Sequence, residues 1–231
     1  MNLTIFSGGA AQAVIAGLQN EFEQTHGCKL ASTFGAVGAM RDSLVNGEPC
    51  DLVVLSASLI DQLTAQGRVV QGSACVLGRV ATGIAVPVGA TSIDVRSTAS
   101  LTAALSAARG VYVPDLRKST AGIHLARMLA ALGLDDVLAD RIHEYPNGAT
   151  AMRELAKNGS DGTLGCTQVT EIMYTPGVQL VGELPAEHAL STMYTAAVCR
   201  QAQQPALAEQ LAQLLSGDAS VALRRRSGFR V

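Results

Sequence analysis

The chain has no tryptophan, and aromatic residues make up only 3% of its 231 positions. That scarcity argues against stacking platforms for bases or sugars and leaves backbone amides and small polar side chains as the ligand contacts to expect. Charge is sparse as well: Asp, Glu, Lys and Arg make up 16% of residues, the net charge is -2 and the sequence pI is near 6.1. No global field draws nucleic acid or anionic lipid, so nucleic acid is not an expected partner and any anion selectivity must come from a local site. No apolar run approaches the roughly 18 residues of a membrane span, so membrane insertion is not expected. The opening MNLTIFSGG lacks the basic, apolar and small-residue segments of an export signal. The five cysteines (Cys28, Cys50, Cys75, Cys166 and Cys199) are odd in number and far apart, with no CxxC pair and no histidine at metal spacing. Neither a disulfide framework nor a metal site is expected, and no cofactor is called for. As written, the chain is expected in the cytoplasm, or in the periplasm if a signal peptide has been removed.

What is present is an apolar content of 48%, enough for real cores. The first third alternates β-branched runs with helical patterns: Leu3–Phe6, a helix over about Ala10 to Glu23, Lys29–Phe34, a helix over Val37–Val45, and Asp51–Leu55. In the first helix Val14, Ile15, Leu18 and Phe22 form one stripe, and the alternation of strand and helix predicts a parallel sheet with right-handed crossovers. A long extended segment, Cys75 to Val88, carries glycine and proline suited to a passage from one lobe to another. A second set follows, with helices near Thr98–Ala108, Thr120–Leu132 and Ala149–Lys157 and strands at Val111–Val113 and Gly162–Thr167. A returning strand within 190–198 and two closing helices, Pro205–Leu215 and Ala219–Arg226, complete the chain. The expected fold is α/β with two lobes, residues 1–82 plus 193–231 and residues 83–192, and a ligand cleft between them.

In open parallel sheets ligands bind off the carboxyl ends of strands, where helix N-termini present unpaired N–H groups and partial positive charge. Four such junctions stand out: Ser7, Gly8 and Gly9; Gly35, Ala36, Val37 and Gly38; Ser119, Thr120, Ala121 and Gly122; and Asn147, Gly148, Ala149 and Thr150. Together they could cradle an anion on backbone amides, with glycines allowing close approach. Singly, each is also an ordinary turn and cap. No GxxxxGK[ST] loop is present, and Gly8 and Gly9 lack the rest of a dinucleotide fingerprint.

Four stretches carry a more specific signal: TIFSGGAAQAV (Thr4–Val14), STFGAVGAMRDSLVNGEPCDLVVLSASLIDQL (Ser32–Leu63), VPDLRKSTAGIHLARMLAALGL (Val113–Leu134) and ELAKNGSDGTLGCTQVTEI (Glu154–Ile172). In this order they resemble the successive blocks of the molybdate-binding family of type II periplasmic binding proteins. The run from Gly47 to Asp51, leading into a strand and the turn at Ser56 and Ala57, is the most telling. The resemblance implies the two-lobed clamshell and a small anionic ligand.

The departures from that family bear on the ligand. Ala10, and Ala36, Val37 and Gly38, stand where the family offers serine hydroxyls; Gln168 stands at its tyrosine position; and Arg117, Lys118 and Ser119 lengthen the third block. An Arg and an amide suit a planar carboxylate better than a tetrahedral oxyanion, although an Arg–Lys pair on a loop is equally a solvated surface. The same fold family includes proteins that resemble molybdate binders and act as aconitate isomerases. The resemblance to that branch implies an isomerase that moves a double bond in an organic polycarboxylate. That chemistry needs cationic or dipolar groups around the delocalised anion and one base. Lys118 and His124 are the candidate catalytic residues; Asp115 and Cys166 are further titratable candidates, and His124 could equally be a packing residue beside Leu125, Met128 and Leu129. The alternative function is a non-catalytic substrate-binding component for molybdate or another small anion, whose partner would be an ABC permease.

Overall fold

The structure, a computed structural model, describes all 231 residues. Its elements in chain order are β1 (Asn2–Gly8), α1 (Gln12–His26), β2 (Lys29–Gly35), α2 (Val37–Val45), β3 (Leu52–Ser56), α3 (Ala57–Ala65) and β4 (Cys75–Pro87). Then follow α4 (Thr98–Ala107), β5 (Gly110–Pro114), α5 (Thr120–Ala131), α6 (Asp135–Leu138), β6 (Ile142–Tyr145), α7 (Gly148–Asn158), β7 (Thr163–Gln168), α8 (Val169–Tyr174) and β8 (Val178–Glu183). The chain closes with β9 (Ser191–Val198), α9 (Pro205–Ser216) and α10 (Val221–Arg226). It divides into two compact units, Met1–Val80 with Thr192–Val231, and Ala81–Ser191.

In the first unit β1 lies between β2 and β3, parallel to both, and β3 pairs antiparallel with β9. The stripe of α1 is buried as its spacing predicts, with Val14, Ile15, Leu18 and Phe22 against Leu3, Ile5 and Leu52 in one core. The helix starts at Gln12 rather than Ala10, because Gly9–Ala11 wind as a 3-10 turn, and it ends at Gly27, whose φ of 60° places it in the left-handed region. Asp51, 4% exposed, ties this unit together. Its carboxylate accepts from the N–H groups of Thr4 (2.8 Å), Gln203 (2.6 Å) and Gln204 (2.9 Å), joining β1 to the start of α9.

In the second unit β5 is parallel to β6 and β7, while β4 runs antiparallel between β7 and β8. The expectation of parallel pairing therefore holds where a helix intervenes and fails for β9 and β4. Each of those two strands carries the chain across a unit boundary and enters its sheet without a helical crossover, so nothing forces it parallel. Leu101, Leu125, Met128 and Leu164 fill one core of this unit, and Met152, Leu155 and Ile172 another. All five cysteines are free, four of them buried. No helix is long and apolar enough to cross a membrane.

Candidate functional site

The first unit gathers candidate site residues at the carboxyl ends of its parallel strands. The register sets Gly8 beside Gly35 and Ser7 beside Val54, and antiparallel β9 brings Tyr194 to the same end, opposite Ser56. Each parallel strand passes straight into a helical turn whose N-cap (Gly8, Ala36 or Ser56) makes no side-chain capping bond. By contrast α4, α5 and α7 are capped by the side chains of Ser97, Ser119 and Asn147. The first-turn amides of α2 and α3, at Val37, Gly38, Ala57 and Ser58, therefore have no capping side chain. Close packing decides the residue types here. A Cβ on Gly8 would lie 2.7 Å from Val37 Cγ1 and 3.1 Å from Tyr194 Cε1, and one on Gly35 would lie 2.8 Å from Met40 Cε. Gly9 and Ala10 are buried, and the Ser56 hydroxyl is 3.4 Å from that of Ser58. The hydroxyl of Ser7, fully buried, donates to the Gly8 carbonyl at 2.9 Å and so turns inward. Ser7 thus supports the cradle rather than lining it.

The second unit carries the remaining expected residues. Asp115 accepts from the N–H groups of Arg117 and Lys118, both at 2.8 Å, while Leu116 N–H donates to Glu144. Asp115 is thereby spent on holding the turn, which leaves the side chains of Arg117 and Lys118 exposed. The Ser119 hydroxyl accepts from Gly122 N–H at 3.4 Å, with Thr120 half-buried at the start of α5. A Cβ on Gly122 would sit 2.2 Å from the Asp115 carbonyl oxygen. Ser119 and Gly122 therefore cap and pack the helix, and the Gly122 amide is not a free donor.

His124 is engaged in a structural contact, and Cys166 does not fit the role of base. The Nε2 of His124 donates to the backbone carbonyl of His188 at 2.7 Å, which places the hydrogen on that nitrogen and commits it to a structural contact. Cys166 is fully buried, and burial pushes its thiol up to about 12, so it holds its proton.

At α7 the structure corrects the expected amide site. The buried carboxyl of Glu171 occupies the helix start: it accepts from the N–H groups of Ala149 and Gln168 and from the Thr167 hydroxyl at 2.5 Å. Burial raises its pKa, and those donors oppose the rise. Gly148 is required by this arrangement, since a Cβ there would come within 2.0 Å of both Glu171 Oε2 and Thr167 Oγ1. The Ala149 amide already serves an internal acid, and Gly148 gives that acid its room.

Gln168 behaves differently. It ends β7, is 3% exposed, and neither its Oε1 nor its Nε2 has a partner. Thr170 Oγ1 nearby in sequence is also buried without one, as is Thr82 Oγ1 on β4. Thr82 is the direct cross-strand partner of Gln168, so the two side chains share one face of the sheet. Buried polar atoms without partners are few in folded proteins, and a cluster of them marks a place completed by a ligand or water.

A sequence profile of bacterial extracellular solute-binding proteins matches residues 3–230. The chain belongs to this family. A relative described as aconitate isomerase, from a Pseudomonas species, is 30% identical over 96% of this chain and 85% of its own length. Among solved structures, the periplasmic molybdate-binding protein of Azotobacter vinelandii superimposes with a TM-score of 0.80 at 19% identity, covering 99% of both chains. The sulfate-binding protein SubI of Mycobacterium tuberculosis gives 0.77 at 15% identity, covering 100% of this chain and 86% of its own. These likenesses establish the solute-binding-protein fold. Within that fold, Gly8 and the start of α2 were legible from sequence as strand-to-helix junctions, and Ser56, Ala57 and Gln168 through the family resemblance. Glu171, Thr82 and His188 were not, because each owes its importance to partners that only folding supplies.

Proposed function

We propose that this solute-binding-protein-like chain binds a small organic polycarboxylate and acts on it as an aconitate isomerase does, interconverting cis- and trans-aconitate by allylic proton transfer. The observation that carries the reading is Gln168: a planar amide, buried, with both polar atoms unpartnered, in place of a hydroxyl. Its Nε2 can donate to a carboxylate and its Oε1 can accept from a hydroxyl or protonated carboxyl of the ligand. In the first unit, the amides of Gly38, Ala57 and their neighbours, with alanines rather than serines at Ala10 and Ala36, are donors suited to a carboxylate. Arg117, in the same unit as Gln168, supplies a guanidinium that can take a carboxylate in two parallel hydrogen bonds. The likeness to a relative that bears the name aconitate isomerase agrees with this assignment.

The reaction removes a proton from the methylene beside one carboxylate, spreads the charge over three carbons and the adjoining carboxylate, and returns the proton two carbons away. Donors aimed at that charge lower the barrier, and a single base can serve both carbons. The cradle of the first unit is built mainly of backbone amides and hydroxyls and holds no carboxylate or histidine, which favours a second reading, a non-catalytic binding component for molybdate or another small anion. Two measurements separate them. Calorimetric titration with trans-aconitate, citrate, molybdate and sulfate should give heat with the carboxylates, and proton NMR of added cis-aconitate should show the trans isomer growing. Tight molybdate binding with no response to either acid would overturn the polycarboxylate reading.

A further inference from the structure

The histidine that the sequence singles out is held in place by a second one. His124 has its Nε2–H on the carbonyl of His188, a contact spanning 64 residues. His188 itself presents a buried Nε2 with no partner. Its backbone is held from several sides: its N–H donates to Pro185 O at 2.8 Å and its carbonyl is fixed by α5 through His124. The loop carrying it is pinned at both ends on one residue, since Leu184 N–H donates to Thr82 O and Thr82 N–H donates to Leu190 O, each at 3.0 Å. Thr82 is in turn the cross-strand partner of Gln168. One stretch of the second unit thus gathers three side chains with buried unpartnered polar atoms: His188, Thr82 and Gln168.

We infer that His188 is a catalytic residue, its Nε2 facing the ligand that Gln168 and Thr82 help to hold, with His124 a positioning residue that orients it through the backbone. With hydrogen on Nδ1, the Nε2 lone pair accepts the proton from the substrate methylene as that C–H bond breaks. The carbon electron pair shifts into the three-carbon unit, and the imidazolium returns the same proton to its far end. No oxidant, metal or second reactant enters the balance. Thr82 Oγ1 and Gln168 Nε2 are the donors placed to meet the carboxylate on which charge builds.

This inference rests on the polycarboxylate reading, and the test separates the two. His188→Gln keeps a polar side chain but removes the base. Its kcat for aconitate interconversion should fall about 100-fold or more, with KM changed less than about threefold, at an unchanged thermal midpoint. A fall in kcat below about tenfold overturns the assignment. The same two proteins are titrated calorimetrically with trans-aconitate, citrate and molybdate. If the native protein turns over nothing, the isomerase reading and the proton-carrying role both fall. In that case, weaker anion binding in the variant, by about tenfold or more, still places His188 at the ligand, and unchanged affinity removes it from the site altogether.

Discussion

Substituting Gly148 by alanine tests whether the start of α7 is closed by Glu171 or left open for a ligand. The added Cβ would meet Glu171 Oε2 and Thr167 Oγ1 at 2.0 Å, roughly 1.4 Å short of ordinary contact, so the carboxyl or the helix must move. Neither is free to do so cheaply, because the carboxyl is buried and fastened by three donors. Overpacking costs about 1–3 kcal/mol, and pulling the Ala149 amide from its acceptor adds about 1–3 kcal/mol, so a loss near 3 kcal/mol is expected. Glu171→Ala alone should cost a similar amount, about 3 kcal/mol, by leaving the same donors unsatisfied. In the double variant the new methyl occupies space the carboxyl has vacated. Urea unfolding of the four proteins should therefore show a double loss smaller than the sum of the single losses by at least about 1 kcal/mol. Additivity within about 0.5 kcal/mol would mean that the two residues do not share the space, and the account of α7 would be wrong.

The pH dependence of stability carries the mark of the same carboxyl. Its folded pKa is raised, so between the ordinary carboxylate range and that raised value the folded state holds more protons than the unfolded one, and Glu171 makes stability fall as pH rises. Below the ordinary range that stability is fully present and independent of pH, so Glu171→Gln should flatten the profile only between that range and the raised value; parallel profiles for the two proteins would refute the assignment. Gln168→Ala should raise the dissociation constant for a bound tricarboxylate about tenfold, the effect of losing one hydrogen bond worth about 1.5 kcal/mol, with little change in the thermal midpoint. An unchanged calorimetric affinity would remove Gln168 from the site. Arg117→Ala should weaken tricarboxylate binding by about 1.5–3 kcal/mol and leave stability untouched, because the guanidinium is exposed; equal affinities would return it to the solvated surface.

Much of the architecture is legible from residue pattern because it depends on neighbours in the chain. The Val14, Ile15, Leu18 and Phe22 stripe, the fully buried run of β3 and the glycine- and serine-rich junctions are local facts, and the structure places them where the pattern does. Short or half-exposed elements escape such reading. The edge strand β8 mixes buried Val178 with exposed Gln179 and Leu180 and offers no clean alternation, and the six residues of α8 are too few to show a period.

The sequence by itself determined the fold class, the family and where strands pass into helices, since hydrophobic period and turn chemistry are written within a few residues. Only the tertiary structure decided which polar groups at those ends are free. Whether a donor is spent depends on partners far along the chain: Ala149 is taken by Glu171 and His124 by His188, while Gln168 and His188 are left with buried atoms and nothing to bond. Hydrogen-bond satisfaction is a property of the packed neighbourhood, and a linear pattern of residue types does not contain it.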